Sequence, residues 1–327
     1  MRQIHHTTSR LRTKLGASVL AISTAFAGAA WSAGPATADA RVAFTQATTQ
    51  TSVTGARADF RKELRALEAS YQGRIGAFAL DTGTGKTIAY RAHERFPSRS
   101  TFKAFVCGAI LTKARTTDPG LLERTLHWTQ DDVVVDSPIT GLKENVENGM
   151  TVERLCHAAI TVSDNTAGNL LLKQIGGPSG LTRYYRSLGD PIGRLDRWEP
   201  ELNDWKPGEK RDTILPALMA RNLQKITLGG ALTAQDKERL NGWLRASVTG
   251  TKRIRAGVPT DWTVGDKTGG GAGAYAPGSD IAVVWPTSGA PLIIAVYTNR
   301  TDPDAVMDNS VIARTATVLA RALGRMP

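Results

Sequence analysis

Apolar residues recur at helical spacing over Arg57–Tyr71, where Phe60, Leu64, Leu67 and Tyr71 fall on one face. The period then changes. Ile75–Leu80 and Thr87–Tyr90 read as short strands around the turn Asp81-Thr82-Gly83-Thr84-Gly85-Lys86. From Phe102 to about Asn241 the pattern is mainly helical, broken by Gly-Gly and Pro-containing turns. Val152–Ile160 predicts one helix and Thr166–Ile175 another, stopped by Gly176-Gly177-Pro178. Strands return at Ile281–Trp285 and Leu292–Thr298, β-branched runs joined by the hairpin Pro286-Thr287-Ser288-Gly289. A last helix carries Val311, Thr315, Val318, Leu319 and Ala322 on the face expected to meet that sheet. Strands from both ends thus bracket a helical middle. The order fits an α+β fold: an antiparallel sheet built from both termini and flanked by helices, with an all-helical domain inserted. Its α/β part would span about 57–95 and 245–327, and its helical part about 96–244.

The first segment stands apart. Arg2, Arg10, Arg12 and Lys14 give a basic start, Leu15–Ala30 is apolar, and Ala36-Thr37-Ala38 offers a small-x-small cleavage site before Asp39. Residues 1–38 read as an export signal, since the stretch is short and diluted for a membrane anchor. No cysteine lies nearby to carry a lipid. Residues 39–56, rich in Thr, Ala, Gln and Ser, form a flexible lead-in to a catalytic unit at 57–327. The expected product is a secreted protein, extracellular or periplasmic, with no stable membrane association after cleavage.

Hydrophobic residues make up 41% and charged residues 22% of the 327, ordinary values for a soluble globular chain. Four cations leave with the signal, which takes the formal charge from +11 to +7. Lys and Arg are interspersed with acids and form no basic stripe with interleaved aromatics, so no nucleic-acid partner is expected. Gly85-Lys86-Thr87 suggests a phosphate loop, but Leu80 stands where that motif needs glycine. Cys107 and Cys156, with scattered His93, His127 and His157, make no zinc-type cluster, so no metal is expected. Export favours pairing of the two cysteines, worth roughly 4 kcal/mol in the chain-entropy model; two buried thiols are the equal alternative.

Ser100-Thr101-Phe102-Lys103 opens an apolar helix, where residues three apart share a face. A serine hydroxyl needs a base, and a lysine crowded by other cations can lose its proton. Ser163-Asp164-Asn165 lies between two helices; Ser163 can pass a proton and Asn165 can bind an amide, while Asp164 is best read as a cap. Lys267-Thr268-Gly269, followed by Gly270, reads as a strand edge able to hold a carboxylate, or as a plain glycine turn beside an exposed lysine. Glu199 and Asn203, four apart in a segment without period, can pin one water. Arg197 and Asp212 bracket that segment and can clamp it.

Each signal is weak alone, but the four in this order closely resemble the class A serine β-lactamases. The resemblance runs from about Ala56 to the C-terminus. It is densest in Met150-Thr151-Val152, in Ala158–Ala167 and in Arg194–Asn203. It implies a five-stranded sheet and a cofactor-free, monomeric hydrolase that opens β-lactam antibiotics through a serine acyl-enzyme, giving resistance. Ser100 would attack the lactam carbonyl, with Lys103 or Glu199 taking its proton and the backbone N–H groups of Ser100 and Gly270 forming the oxyanion hole. Ser163 would protonate the leaving nitrogen and Asn165 bind the side-chain amide. Glu199 and Asn203 would activate the deacylating water, and Lys267, Thr268, Gly269 and Arg253 would hold the substrate. Cys107 and Cys156 match the family's inter-helix disulfide. Departures are Asp136 where the family usually has an aromatic gatekeeper, Arg99 ahead of the nucleophile, Gly270 without a hydroxyl, and a longer turn at Ala272–Ser279. The main rival is a D-Ala-D-Ala peptidase of the penicillin-binding class, and a β-lactam-sensing module is a third reading. The Glu199/Asn203 pair separates the lactamase from the peptidase, and a sensor would be expected to carry a membrane tether or signalling domain, neither of which this sequence shows.

Overall fold

The structure, a computed structural model, describes residues 59–271 and 273–327. The expected signal and lead-in lie outside them.

Helix α1 covers residues 59–71. Strands β1 (Gly73–Asp81) and β2 (Thr87–Tyr90) follow as a hairpin, and the short β3 (Phe96–Pro97) leads to α2 (Phe102–Thr116). The middle of the chain holds β4 (Thr125–Leu126), α3 (Lys143–Asn148), β5 (Met150–Thr151), α4 (Val152–Thr161), α5 (Asn165–Gln174) and α6 (Gly177–Ser187). After a long loop come β6 (Thr213–Ile214), α7 (Pro216–Thr227) and α8 (Ala234–Arg245). The chain returns to β7 (Thr263–Gly269), β8 (Gly278–Trp285), β9 (Leu292–Arg300) and α9 (Asn309–Leu323).

The main sheet is antiparallel in the order β2-β1-β9-β8-β7, so it is five-stranded and drawn from both ends of the chain. Its strands alternate with period two, but both faces are apolar. Ile281, Val283, Ile293, Ala295 and Tyr297 face the core shared with the inner helices. Ala282, Val284, Leu292, Ile294 and Val296 face a second core with Phe60, Leu64 and Leu67 of α1 and Val311, Ile312 and Leu319 of α9. Helix α2 is buried at every position from Phe102 to Leu111, with Lys103 its one charged residue there, and it runs through the larger core. The short 3₁₀ turn Arg99–Thr101 that leads into it is buried as well.

The Gly176-Gly177-Pro178 stop does two jobs. Gly176, at φ 85°, ends α5 in left-handed backbone, and Pro178 sits in the first turn of α6. Asp164 is a cap, as its type suggests: its Oδ1 accepts from the Ala167 N–H at 2.8 Å. Its Oδ2 accepts from the Ile139 and Thr140 N–H groups, which fixes the opposite wall of the cleft described next.

The structure corrects the expected disulfide. Cys107 on α2 and Cys156 on α4 are free, buried thiols. The Cys107 sulfur points at the Cys156 carbonyl oxygen, 3.8 Å away, rather than into a bond with its sulfur.

Candidate active site

A cleft of about 940 Å³ opens between the edge strand β7 and the helical part. Ser100 reaches it from the 3₁₀ turn (Arg99–Thr101) that leads into α2. Lys103, one turn on, is fully buried. Its Nζ donates to Ser100 Oγ at 3.0 Å, to the Ser163 carbonyl at 2.7 Å and to Asn165 Oδ1 at 2.5 Å. Burial drives the Lys103 pKa down, opposed by the Glu199 carboxylate. That carboxylate lies 3.3 Å away, and neither side chain of the pair is exposed.

Ser100 Oγ therefore stands between two bases, donating to Glu199 Oε1 at 3.2 Å. Glu199 is fixed three ways. Its other oxygen accepts from Asn203 Nδ2 at 2.6 Å. Its backbone N–H donates to Asn169 Oδ1 at 3.0 Å, and its carbonyl accepts from Asn169 Nδ2 at 2.8 Å. Asn169 was not singled out from the sequence, although it lies one turn after Asn165 on α5 and so shares its face.

On the other wall, Ser163 adopts left-handed backbone at φ 64°. Its Oγ accepts from Lys267 Nζ at 2.9 Å and from Lys103 Nζ at 3.4 Å, so it bridges the two ammonium groups. Burial pushes the Lys267 pKa well down, and the charge of Lys103 adds to the effect. An anion entering the cleft beside Lys267 would oppose that shift and favour its charged form. Behind Lys267 lie Asp266 and Asp280, whose carboxyl pKa values are raised by burial. Arg255 pairs with Asp266 at 2.5 Å. Thr268 Oγ1 shares a 2.7 Å hydrogen bond with Thr249 Oγ1, a contact invisible in the motif. At Gly269 a β-carbon would stand 3.1 Å from the Ser100 nitrogen and 2.8 Å from Arg99 Cβ, so only glycine lets β7 lie against the Arg99–Ser100 segment.

Arg253 also lines the cleft. Its guanidinium donates to the Gly269 and Ser279 carbonyls at 2.8 and 2.6 Å and to Asn309 Oδ1 at 2.8 Å, tying the open end of β7 and β8 to α9. Asn165 Nδ2 donates to the Val135 carbonyl at 2.9 Å, and its own N–H to the Asp136 carbonyl at 3.0 Å. Asp136 is exposed at the cleft mouth in left-handed backbone. The Arg197–Asp212 clamp is formed at 2.6 Å around the loop that carries Glu199 and Asn203. Gly270, at φ 158°, begins the turn between β7 and β8 and also lines the cleft. The structure therefore gathers the sequence-derived residues Ser100, Lys103, Ser163, Asn165, Glu199, Asn203, Arg253, Lys267, Thr268, Gly269 and Gly270 around one cleft. Arg197 and Asp212 sit behind the loop, while Cys107 and Cys156 lie in the core away from it.

Comparison with known proteins agrees with this arrangement. Residues 59–323 match the model of the beta-lactamase enzyme family. A β-lactamase of Streptomyces lavendulae is 48% identical over 268 residues, covering 81% of this chain and 87% of that protein. The crystal structure of a β-lactamase from Streptosporangium roseum superposes with a TM-score of 0.80 at 61% identity, covering 82% of this chain and all of that one. A class A β-lactamase of the last common ancestor of Gram-negative bacteria gives 0.76 at 46% identity, covering 81% and 99%. With motifs, sheet order and cleft all in agreement, the chain belongs to the class A serine β-lactamases, hydrolases that open the β-lactam amide and confer resistance to those antibiotics.

Proposed function

We propose that Ser100 is the nucleophile of this β-lactamase and that Glu199 drives the release of its acyl-enzyme. Ser100 Oγ attacks the lactam carbonyl carbon as its proton passes to Lys103 Nζ or to Glu199, both within reach. The developing oxyanion is stabilised by the Ser100 and Gly270 N–H groups. The carbon–nitrogen bond of the ring breaks, and the ring nitrogen takes a proton from Ser163, which is resupplied by the lysine at its back. Lys267, Thr268 and Arg253 hold the substrate carboxylate, and Asn165 binds the side-chain amide. Water then adds to the ester carbonyl and gives its proton to Glu199, while Asn203 orients both partners; the ester carbon–oxygen bond breaks and Ser100 Oγ recovers its proton from Lys103 Nζ or Glu199. The contact that carries this reading is Ser100 Oγ lying within 3.2 Å of a buried carboxylate already bonded to Asn203.

Export belongs to the same proposal. The basic, apolar and small-residue order of residues 1–38 supports secretion, and among the described residues no helix is long and apolar enough to cross a membrane. The enzyme would act as a monomer outside the cytoplasm.

The test is the mass of purified protein quenched during turnover of a chromogenic cephalosporin. The unmodified enzyme should turn over with little adduct. Glu199→Gln should hold the acyl group on Ser100, with deacylation slowed about 10²- to 10⁴-fold, the range of a lost general base. An unmodified protein that keeps its adduct for hours would be a peptidase or a sensor instead.

A further inference from the structure

Arg99 precedes the nucleophile, and it heads the fully buried large side chains, with 1% of its surface exposed. A guanidinium in the interior is costly, and burial pulls its pKa down against the charges of Glu199 and Asp204. Its backbone is left-handed at φ 48°, a conformation that costs about 1–3 kcal/mol for a residue with a β-carbon. Both features persist only where the surroundings enforce them.

Those surroundings are the catalytic loop. Arg99 Nη1 donates to the Asn203 carbonyl at 2.9 Å, linking residues 104 apart. The turn after β7 lies over the same guanidinium. A β-carbon at Gly273 would stand 3.4 Å from Nη1 and 3.7 Å from the Asn203 carbonyl, and one at Gly271 would stand 3.9 Å from Nη2. Three segments therefore meet on one cation. The contacts also close a ring: Arg99 holds Asn203, Asn203 Nδ2 holds Glu199 Oε2, Glu199 Oε1 accepts from Ser100 Oγ, and Ser100 is the next residue in the chain.

From this ring we infer that Arg99 is a positioning residue for deacylation. It fixes the backbone of Asn203, and through that side chain the Glu199 carboxylate, at a set distance from the acylated serine. The inference rests on the Glu199 role proposed above. Acylation has Lys103 as a second base within reach of Ser100 Oγ, so it depends on this brace less than deacylation, which has Glu199 alone.

The experiment compares Arg99→Met, which keeps bulk without charge, with Arg99→Lys, which restores charge and a donor. Acylation and deacylation of a chromogenic cephalosporin are timed separately by stopped flow, with quenched intact mass as the second readout. For Arg99→Met, deacylation should fall about tenfold or more, the effect of one charge-assisted hydrogen bond. Acylation should stay within about threefold, so that kcat and KM drop together while kcat/KM is held and the adduct accumulates. Arg99→Lys should recover part of the loss. If Arg99→Met fails to fold by circular dichroism, Arg99→Gln carries the same test. A folded variant that deacylates at the unmodified rate overturns the inference, as does one in which both steps fall in parallel without adduct. Failure of the unmodified protein to turn over would overturn the hydrolytic mechanism first, and this inference with it.

Discussion

The clamp behind the catalytic loop makes an asymmetric prediction. Asp212 is wholly buried, whereas the Arg197 side chain keeps 17% of its surface in solvent. Asp212 Oδ1 accepts from the Asp196 and Arg197 N–H groups at 2.7 and 3.0 Å, and Oδ2 from Arg197 Nε at 2.6 Å. Arg197→Ala strands a carboxylate in the interior, the situation that costs about 3–5 kcal/mol. Asp212→Asn keeps an acceptor for the two amides and leaves Arg197 its partial exposure and its bond to the Asp204 carbonyl at 3.0 Å. It forfeits one charge-assisted bond, about 1.5–3 kcal/mol. The arginine variant should therefore be the weaker at neutral pH, by a total Tm loss of about 6–15 °C for a chain of this size. Acid should narrow the gap. Burial already raises the Asp212 pKa against the opposing amides and guanidinium, and deleting Arg197 raises it further. A carboxyl that binds its proton more tightly folded than unfolded gives full stability at low pH and loses it as pH rises through the folded-state value. Urea unfolding of both variants at neutral pH and at about pH 5 measures this. The reasoning fails if Arg197→Ala costs no more than Asp212→Asn, or if its deficit grows in acid.

Lys267→Met should lower kcat/KM for carboxylate-bearing β-lactams about 10- to 100-fold, yet melt no lower than the unmodified enzyme at neutral pH. Burial depresses the Lys267 pKa, so its penalty is present at neutral pH and fades as pH climbs through the folded-state value. Any Tm gain should accordingly vanish in alkali, and thermal scans at two pH values would show it. Reduced protein should offer no thiol to an aromatic disulfide reagent when native and both thiols in denaturant. Cys107 and Cys156 are buried, and burial, with Cys107 as neighbour, holds the Cys156 thiol well above its ordinary pKa.

The motifs were legible because local geometry fixes them: Ser100 and Lys103 share a helix face, and Glu199 and Asn203 span a single turn of loop. The fold was legible because the period changes from helical to alternating at both ends of the chain. What escaped the sequence depends on contacts between distant segments. Arg99 read only as a departure, since its partner Asn203 lies in another loop. Thr249 and Asn169 carry no motif of their own and gain meaning only beside Thr268 and Glu199. The left-handed backbone at Arg99 and Ser163 goes against the preference of those residue types, so tertiary packing sets it. The disulfide expectation came from likeness to a family, and no local signal constrained it.

The pairing of β1 with β9 has a consequence for how the molecule is made. Gly73 sits opposite Arg300, and the Thr301 hydroxyl bonds to the Gln72 carbonyl 229 positions earlier. Helices of the middle segment can form from near neighbours, but the sheet has to wait for its last strand, and closing so long a loop is slow. The main sheet is therefore complete only once almost the whole chain is present. Glu63 on α1 meets Arg321 on α9 at 2.7 Å. A circular permutant joined near that contact would leave only two helices between β9 and β1 along the chain, which shortens the slowest closure.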